Sequence, residues 1–392
     1  MKVCCMKKIY ISIICLILIV AGLLTNNRMT VYADYDNTFT SKSYVLLDAD
    51  SGTVLIEHNA QDKVQVASIC KLMTSLITLE RIDTGALNLD DKIVASEYAC
   101  SMEGSQAFLD AGSEYTVAEL LKSVIVASAN DSAVVLAEAI SGSESAFTSL
   151  MNSRAKALGL NNTCYANATG LPAPNQYSTA MDTSILLKKV ASYPTYVNDS
   201  HIWMDKLVHP SGRETELVNT NRLIKYYDKC HTGKTGFTDE AGYCLASSAS
   251  NNDLNLIAVV LKCDKPQDRF KESIDLYNYG FTNYTNKKII DSASDYMSIK
   301  VGGSKVKSAK VGYESDYSVV CKKGDTSGYD IDIKLDNIIK APSKIGTKVG
   351  IATILKDGKV ISEQPIVLKE NIEKQNVKDI LGKMVDNWSI AG

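Results

Sequence analysis

The sequence predicts a mixed α/β (α+β) domain over residues 34–283, a small all-β sandwich domain over 284–369 and an amphipathic C-terminal helix over 370–392. Three observations lead there. Between about Thr38 and Asn283, strand-length apolar runs alternate with longer stretches whose apolar residues recur near every 3.6 positions. From about Thr285 to Leu368 the chain turns to short alternating strands, and from Glu370 the helical period returns. With 45% hydrophobic residues in a chain of 392, there is ample apolar material for two packed domains.

The elements follow in chain order. Lys2, Lys7 and Lys8 precede an apolar run from Ile9 to Leu24, and a polar stretch then ends in Val31-Tyr32-Ala33. This is the layout of a secretory signal, with cleavage after Ala33. The competing reading is an uncleaved anchor, for which the run is short against the roughly 20 residues of a membrane span. Ser43–Asp48 and Val54–His58 flank Asp50-Ser51-Gly52 and read as a hairpin. A helix begins near Ser68, with Ile69, Leu72, Met73, Leu76, Ile77 and Leu79 as its apolar stripe. Val117–Ala127 and Ser132–Ile140 read as helices separated by a turn, and Phe147–Leu158 as another ended by Gly159. Tyr243–Ser248 and Leu254–Leu261 read as strands, and Asp268–Tyr279 as a helix.

In the second domain, Tyr329–Leu335 alternates strictly, and Val349–Leu355 and Lys359–Ile361 flank Asp357-Gly358, a strong hairpin signal. In the terminal helix Val377, Ile380, Leu381, Met384, Val385 and Trp388 form one apolar stripe. Lys378, Asp379, Lys383, Asp386 and Asn387 fall opposite. That stripe suits a helix lying in a membrane interface, or one packed on the β domain.

Charge and cysteines narrow the function. A net charge of −3 with 22% charged residues offers no basic surface for nucleic acid. Of 10 cysteines, Cys4, Cys5 and Cys15 fall in the signal. The others (Cys70, Cys100, Cys164, Cys230, Cys244, Cys263, Cys321) are odd in number and unpatterned, so they read as mostly buried free thiols rather than a disulfide scaffold. His58, His201, His209 and His231 lack metal-ligand spacing, and no Gly-x-Ser-x-Gly or His-Glu-x-x-His occurs. A metal, a histidine-based serine hydrolase and a zinc peptidase are therefore not expected, and no cofactor is implied.

Three short patterns carry the chemistry: Ser68-Ile69-Cys70-Lys71, Ser128-Ala129-Asn130 and Lys234-Thr235-Gly236. Together they outline a serine enzyme whose base is a lysine. Ser68 and Lys71, three apart on a helix, share a face. A serine hydroxyl is a poor nucleophile until a base takes its proton, and Lys71 serves only if neutral. Its place in the first helical turn, near a second lysine, should lower its preference for the charged form. The bland reading is an ordinary helix start. Cys70 points away from Ser68 and reads as a core thiol.

Ser128 would relay a proton to the leaving group, while Asn130 orients substrate and holds Lys71. Ser128, Asn130 and Asp131 would equally suit a helix N-cap. Lys234 and Thr235 offer donors to a carboxylate beside a strand edge, and Gly236 leaves room for substrate. A phosphate-binding loop would need glycine at 228, where Asp228 stands.

The agreement extends to Ala67–Thr74, Ser128–Ala133, Asn167–Leu171, Ser178–Asp182, Asn219–Leu223, Lys234–Tyr243 and Asp268-Arg269-Phe270 through Tyr279-Gly280-Phe281. These segments, and the order of signal, catalytic domain, β domain and terminal helix, resemble the D-alanyl-D-alanine carboxypeptidases, the low-molecular-mass penicillin-binding proteins. The resemblance covers essentially the whole mature chain. It implies a serine β-lactamase/DD-peptidase-like fold, an antiparallel sheet flanked by helices, with Ser68 as nucleophile, Lys71 as general base and Ser128 as proton relay. It further implies that Asn130, Lys234 and Thr235 bind substrate and that the backbone N–H groups of Ser68 and Phe237 form the oxyanion hole. Arg269 matches a basic residue that helps hold the substrate carboxylate. The implied partners are peptidoglycan stem peptides ending in D-Ala-D-Ala, β-lactam antibiotics that imitate them, and the outer face of the cytoplasmic membrane.

Two rivals remain. A serine β-lactamase shares the motifs but would want Glu-x-x-Leu-Asn on a loop, and Glu214-Thr215-Glu216-Leu217-Val218-Asn219 does not match it. A catalytically inactive wall-binding protein would have little reason to keep all of Ser68, Lys71, Ser128, Asn130 and Lys234.

Overall fold

Residues 254–263 form a nearly continuous aliphatic run, Leu-Asn-Leu-Ile-Ala-Val-Val-Leu-Lys-Cys, as a strand buried on both faces requires. In the structure, a computed structural model that describes residues 39–294 and 296–375, this run is the central strand of a five-stranded antiparallel sheet. Its members are β1 (Ser43–Asp48), β2 (Val54–His58), β3 (Cys230–Thr238), β4 (Gly242–Asn251) and β5 (Leu254–Cys263). Their order is β2-β1-β5-β4-β3, so β3, the strand carrying Lys234, Thr235 and Gly236, is an edge. The signal segment expected at 1–33 and the apolar stripe Val377–Trp388 lie outside the described residues.

Helices surround this sheet: α1 (Lys71–Asp83), α2 (Val117–Val126), α3 (Asn130–Ser141), α4 (Glu144–Ala157), α5 (Ala180–Val190) and α6 (Asp268–Asn283). Local chemistry fixes their ends. Thr116 and Glu119 form a reciprocal capping box at the start of α2, and Ser143 caps α4 through its bond from Ala146 N. Gly142, left-handed at φ 78°, ends α3. The stripe expected on α1 is fully internal, with Leu72, Met73, Leu76, Ile77 and Leu79 all buried. Each contributes about 1.5–3 kcal/mol by leaving water. On α6, a side chain at Gly280 would meet Leu256 Cδ1 at 2.5 Å, so glycine lets that helix press onto the sheet.

Two helix starts differ from the sequence reading. The helix placed at Ser132–Ile140 begins at Asn130, its N-cap is Ala129, and no side chain caps it. Ser128 and Asn130 are thereby free of the capping role the sequence allowed them. The helix placed near Ser68 opens as a 3₁₀ turn, Ala67–Cys70, which runs into α1 at Lys71.

The chain divides into two compact units between Thr282 and Asn283. The second is all-β among its described residues. A six-stranded sheet holds Tyr329–Leu335, Lys348–Lys356, Lys359–Leu368, Ser308–Tyr313, Tyr296–Gly302 and Ile339–Lys340 in that order, and Tyr284–Ile290 pairs with Tyr317–Lys322 in a second sheet. Ile290, Val311, Ile354, Ile366 and Leu368 sit at its core, all fully buried. The hairpin turn at Asp357-Gly358 has φ of 52° and 73°, the primed geometry those residues favour. Residues 370–375, which the sequence assigns to the terminal helix, instead continue along this unit. Ile372 bridges to Ser343, and Gln375 N donates to Gly303 O at 2.9 Å.

Candidate active site

Three segments distant in sequence build the site. The 3₁₀ turn carries Ser68, the turn between α2 and α3 carries Ser128, and edge strand β3 carries Lys234. Two glycines let them close up. A side chain at Gly170 would lie 2.1 Å from the Ala67 carbonyl, and one at Gly236 would lie 2.3 Å from the Val66 carbonyl and 3.3 Å from Ser68 N. The space at Gly236 is therefore filled by the backbone of the serine turn. This corrects the expectation that Gly236 leaves room for substrate: its missing side chain seats the nucleophile's turn against β3.

Lys71 is wholly buried, and its Nζ lies 3.0 Å from Ser68 Oγ and donates to the Thr169 carbonyl at 2.6 Å. Desolvation is the first cause that brings its pKa down to about 8. Burial, rather than the helix terminus or the second lysine, leads. Lys234, also buried, donates to Ser128 Oγ at 2.7 Å and to the Thr235 carbonyl at 3.2 Å. Its pKa is driven well below the ordinary lysine range, first by desolvation and then by the charges of Lys71 and Arg269. The site thus holds two serine–lysine pairs inside a buried setting where two ammonium groups oppose each other.

Ser128 is held at φ 62°, a left-handed backbone that a non-glycine residue adopts at a cost. Asn130 does not hold Lys71 as the sequence reading had it. Its Nδ2 donates to the Glu103 carbonyl, its N–H to the Ser105 carbonyl at 2.7 Å, and its Oδ1 is buried with no partner among the described residues. Thr169 takes over the holding of Lys71. Thr235 Oγ1 donates to Thr220 Oγ1 at 2.7 Å. The Phe237 ring is about half exposed and stacks on Tyr243 with centroids 4.3 Å apart. Arg269, in the first turn of α6, donates through Nη1 to the Gly236 carbonyl at 3.1 Å and leaves its buried Nε unpartnered.

Sequence reasoning gave no role to Thr169, Thr220 or Glu144. Thr169 and Thr220 lie inside segments that resemble the family, and their spacing carries no chemistry of its own. Glu144 lies outside those segments and ahead of the helix that the sequence places at Phe147–Leu158.

The remaining candidates are structural. Buried His209 meets Tyr115 Oη and Thr215 Oγ1, both at 2.8 Å. All seven cysteines among the described residues are free; five are buried, while Cys100 and Cys164 are half-buried. Burial pushes the Cys70 thiol up to about 12, an inert value beside the nucleophile. Among the described residues no group of three or more His, Cys, Asp or Glu could hold a metal. Glu214–Val218 is a strand paired with Met204–Val208, and Glu214 is engaged with Lys206 at 2.6 Å. That arrangement does not supply the loop carboxylate a serine β-lactamase would use.

Comparison with known proteins agrees with this geometry. The family model described as D-alanyl-D-alanine carboxypeptidase matches residues 28–265, and that of the penicillin-binding protein 5 C-terminal domain matches 284–374. The chain is 35% identical to the D-alanyl-D-alanine carboxypeptidase DacF of Bacillus subtilis, over 95% of this chain and 97% of that protein. It is 32% identical to DacC of Escherichia coli, over 85% and 84%. Among solved structures, penicillin binding protein 5 from Haemophilus influenzae superposes with a TM-score of 0.71 at 29% identity, covering 87% of this chain and all of that one. The carboxypeptidase DacD from Francisella tularensis gives 0.68 at 27%, covering 91% and 98%.

Proposed function

Because this chain belongs to the D-alanyl-D-alanine carboxypeptidase family, we propose that its activity runs through an acyl-enzyme on Ser68. The protein is a serine-type D-Ala-D-Ala carboxypeptidase of the penicillin-binding kind. The division of labour among its residues is our reading. Ser68 Oγ attacks the carbonyl of the penultimate D-alanine of a peptidoglycan stem, and its proton passes to neutral Lys71. The backbone N–H groups of Ser68 and Phe237 receive the developing oxyanion. As the peptide C–N bond breaks, Ser128, flanked by Lys234, delivers a proton to the leaving D-alanine amine. Ser128 recovers its proton from Lys71, which is thereby neutral again; Lys71 then takes a proton from the water that attacks the ester and hands it to Ser68 Oγ as the shortened stem leaves. Lys234, Thr235 and Arg269 supply positive charge and hydroxyl donors for the terminal carboxylate, and Asn130 aligns the peptide.

One observation carries this reading: Lys71 Nζ, buried and lowered to a pKa of about 8, lies 3.0 Å from the hydroxyl of Ser68. A β-lactam imitates the D-Ala-D-Ala terminus and should acylate the same oxygen. Incubation with benzylpenicillin, proteolysis and mass spectrometry should find the penicilloyl group on the Ser68 peptide. An adduct elsewhere, or full labelling of Ser68→Ala, defeats the assignment. We further propose that residues 1–33 direct export and that the C-terminal segment holds the enzyme at the outer face of the cytoplasmic membrane. The basic-then-apolar N-terminus and the Val377–Trp388 stripe support this.

A further inference from the structure

We infer that Glu144, which touches neither serine nor lysine, is a positioning residue for the general base, acting through the peptide segment Asn167–Gly170. This inference rests on the reading of Lys71 as base. Lys71 Nζ has two partners, Ser68 Oγ at 3.0 Å and the Thr169 carbonyl at 2.6 Å. A neutral amine that donates one N–H to Thr169 can turn its lone pair toward Ser68, so the direction of that carbonyl restricts the direction of the base.

Three successive peptide units fix the Thr169 carbonyl, each by a different group. The Gly170 N–H, on the same peptide unit as that carbonyl, donates to Asn167 Oδ1 at 2.7 Å. The Ala168 carbonyl accepts from Thr74 Oγ1 at 2.7 Å, which ties the middle unit to α1. The Ala168 N–H donates to Glu144 Oε1 at 2.9 Å, which ties the first unit to α4. The first two restraints belong to the segment itself and to the helix that bears Lys71. Glu144 is the one that comes from a separate helix.

Glu144 is itself fixed. It occupies the first turn of α4, behind the Ser143 cap, and its second oxygen accepts from Tyr98 Oη at 2.7 Å. Ala168 is fully buried and Glu144 half-buried, so removing the Glu144 side chain takes the carboxylate from the Ala168 N–H and leaves that N–H to entering water or to a moved segment. Loss of this tether frees the first peptide unit, and any shift reaches Thr169, three bonds further on. A hydroxyl or amine in the reacting pair misplaced by a fraction of an ångström loses rate without losing substrate affinity.

The test separates positioning from bulk stability. Benzylpenicillin acylation is followed at varied concentration in the full chain, which resolves the noncovalent dissociation constant from the first-order acylation constant. In Glu144→Ala the acylation constant should fall about tenfold or more while the dissociation constant and the thermal midpoint hold. Glu144→Gln keeps an oxygen for the Ala168 N–H and an amide toward Tyr98, and should stay within about threefold of the parent. Glu144→Ala acylating within that same margin overturns the inference. So does a loss that Glu144→Gln shares and that follows a fall in thermal midpoint. A parent protein that fails to acylate at all would instead remove the Ser68–Lys71 reading beneath it.

Discussion

Lys71 and Lys234 are two lysines with their ammonium groups out of water, each against a serine hydroxyl and neither with a carboxylate partner in the bonds described. Such a pair is costly to bury charged, and in the proposed mechanism that cost is what fits one of them to act as a base. With a pKa of about 8, Lys71 is neutral in about a tenth of molecules at pH 7. The neutral form is the active one, so acylation should rise with pH through about 8 and then level off. Lys71→Arg keeps the cation but cannot release its proton in this range, so its acylation should drop by about two orders of magnitude or more and lose that limb. Stopped-flow acylation from pH 6 to 9.5 reads both; a flat profile in the parent, or an active arginine variant, contradicts the general-base role. At this scale the sequence was informative where chemistry is local. Ser68 and Lys71 are three apart, and Ser128 and Lys234 sit in short patterns that name themselves. Thr169 reaches Lys71 across 98 positions and offers only a carbonyl, which every residue has. No side-chain pattern can announce a backbone acceptor.

The elements around the site are set by close approach as much as by propensity. Gly170 has φ 81° and stands where any side chain would strike the Ala67 carbonyl at 2.1 Å, one residue before the nucleophile. Gly159 has a similar φ of 75° with nothing within 4 Å. The two positions therefore share backbone strain and differ in contact. Gly159→Ala should cost only about 1 kcal/mol of stability and leave acylation intact. Gly170→Ala adds the clash and should push the serine turn off Lys71, with acylation falling about a hundredfold. Thermal midpoints and penicillin acylation of the two variants decide this; equal behaviour would mean the contact at Gly170 has no consequence for the site. Hairpins and amphipathic helices were legible because their signals are periodic: Ser43–Asp48 with Val54–His58 stand as read, and Gly159 follows α4 as read. The start of α3 was not. Ser128, Asn130 and Asp131 are good caps on paper, yet Asp131 accepts from Ala107 N and Leu109 N, at 3.0 and 3.1 Å, and so ties a distant loop instead. Tertiary demand took the polar residues that local rules would have spent on the helix end.

On the scale of the whole chain, catalysis and membrane association are assigned to separate parts. Every proposed site residue lies before the division at Thr282–Asn283, and the Val377–Trp388 stripe follows the last described residue of the β unit. The stretch between matters for any truncation. Ile372 is buried and bridged to Ser343, Glu370 accepts from Lys310 N at 2.6 Å, and Asn371 accepts from Ile345 N at 2.8 Å. Ending the chain at Lys369 would strip these contacts from the β unit and confuse unfolding with loss of an anchor. A chain of residues 34–375 keeps them. On the opposite side of the stripe Lys378 and Lys383 are offset by Asp379 and Asp386, so attraction to anionic lipid is weak and apolar burial must dominate. The 34–392 chain should therefore sediment with lipid vesicles, with little loss when salt is raised from low to physiological strength. The 34–375 chain should stay in the supernatant, and both should acylate with benzylpenicillin at matching rates. Equal sedimentation of the two would move the membrane contact elsewhere on the protein. Vesicle binding that collapses with salt would replace the apolar stripe by charge as its cause.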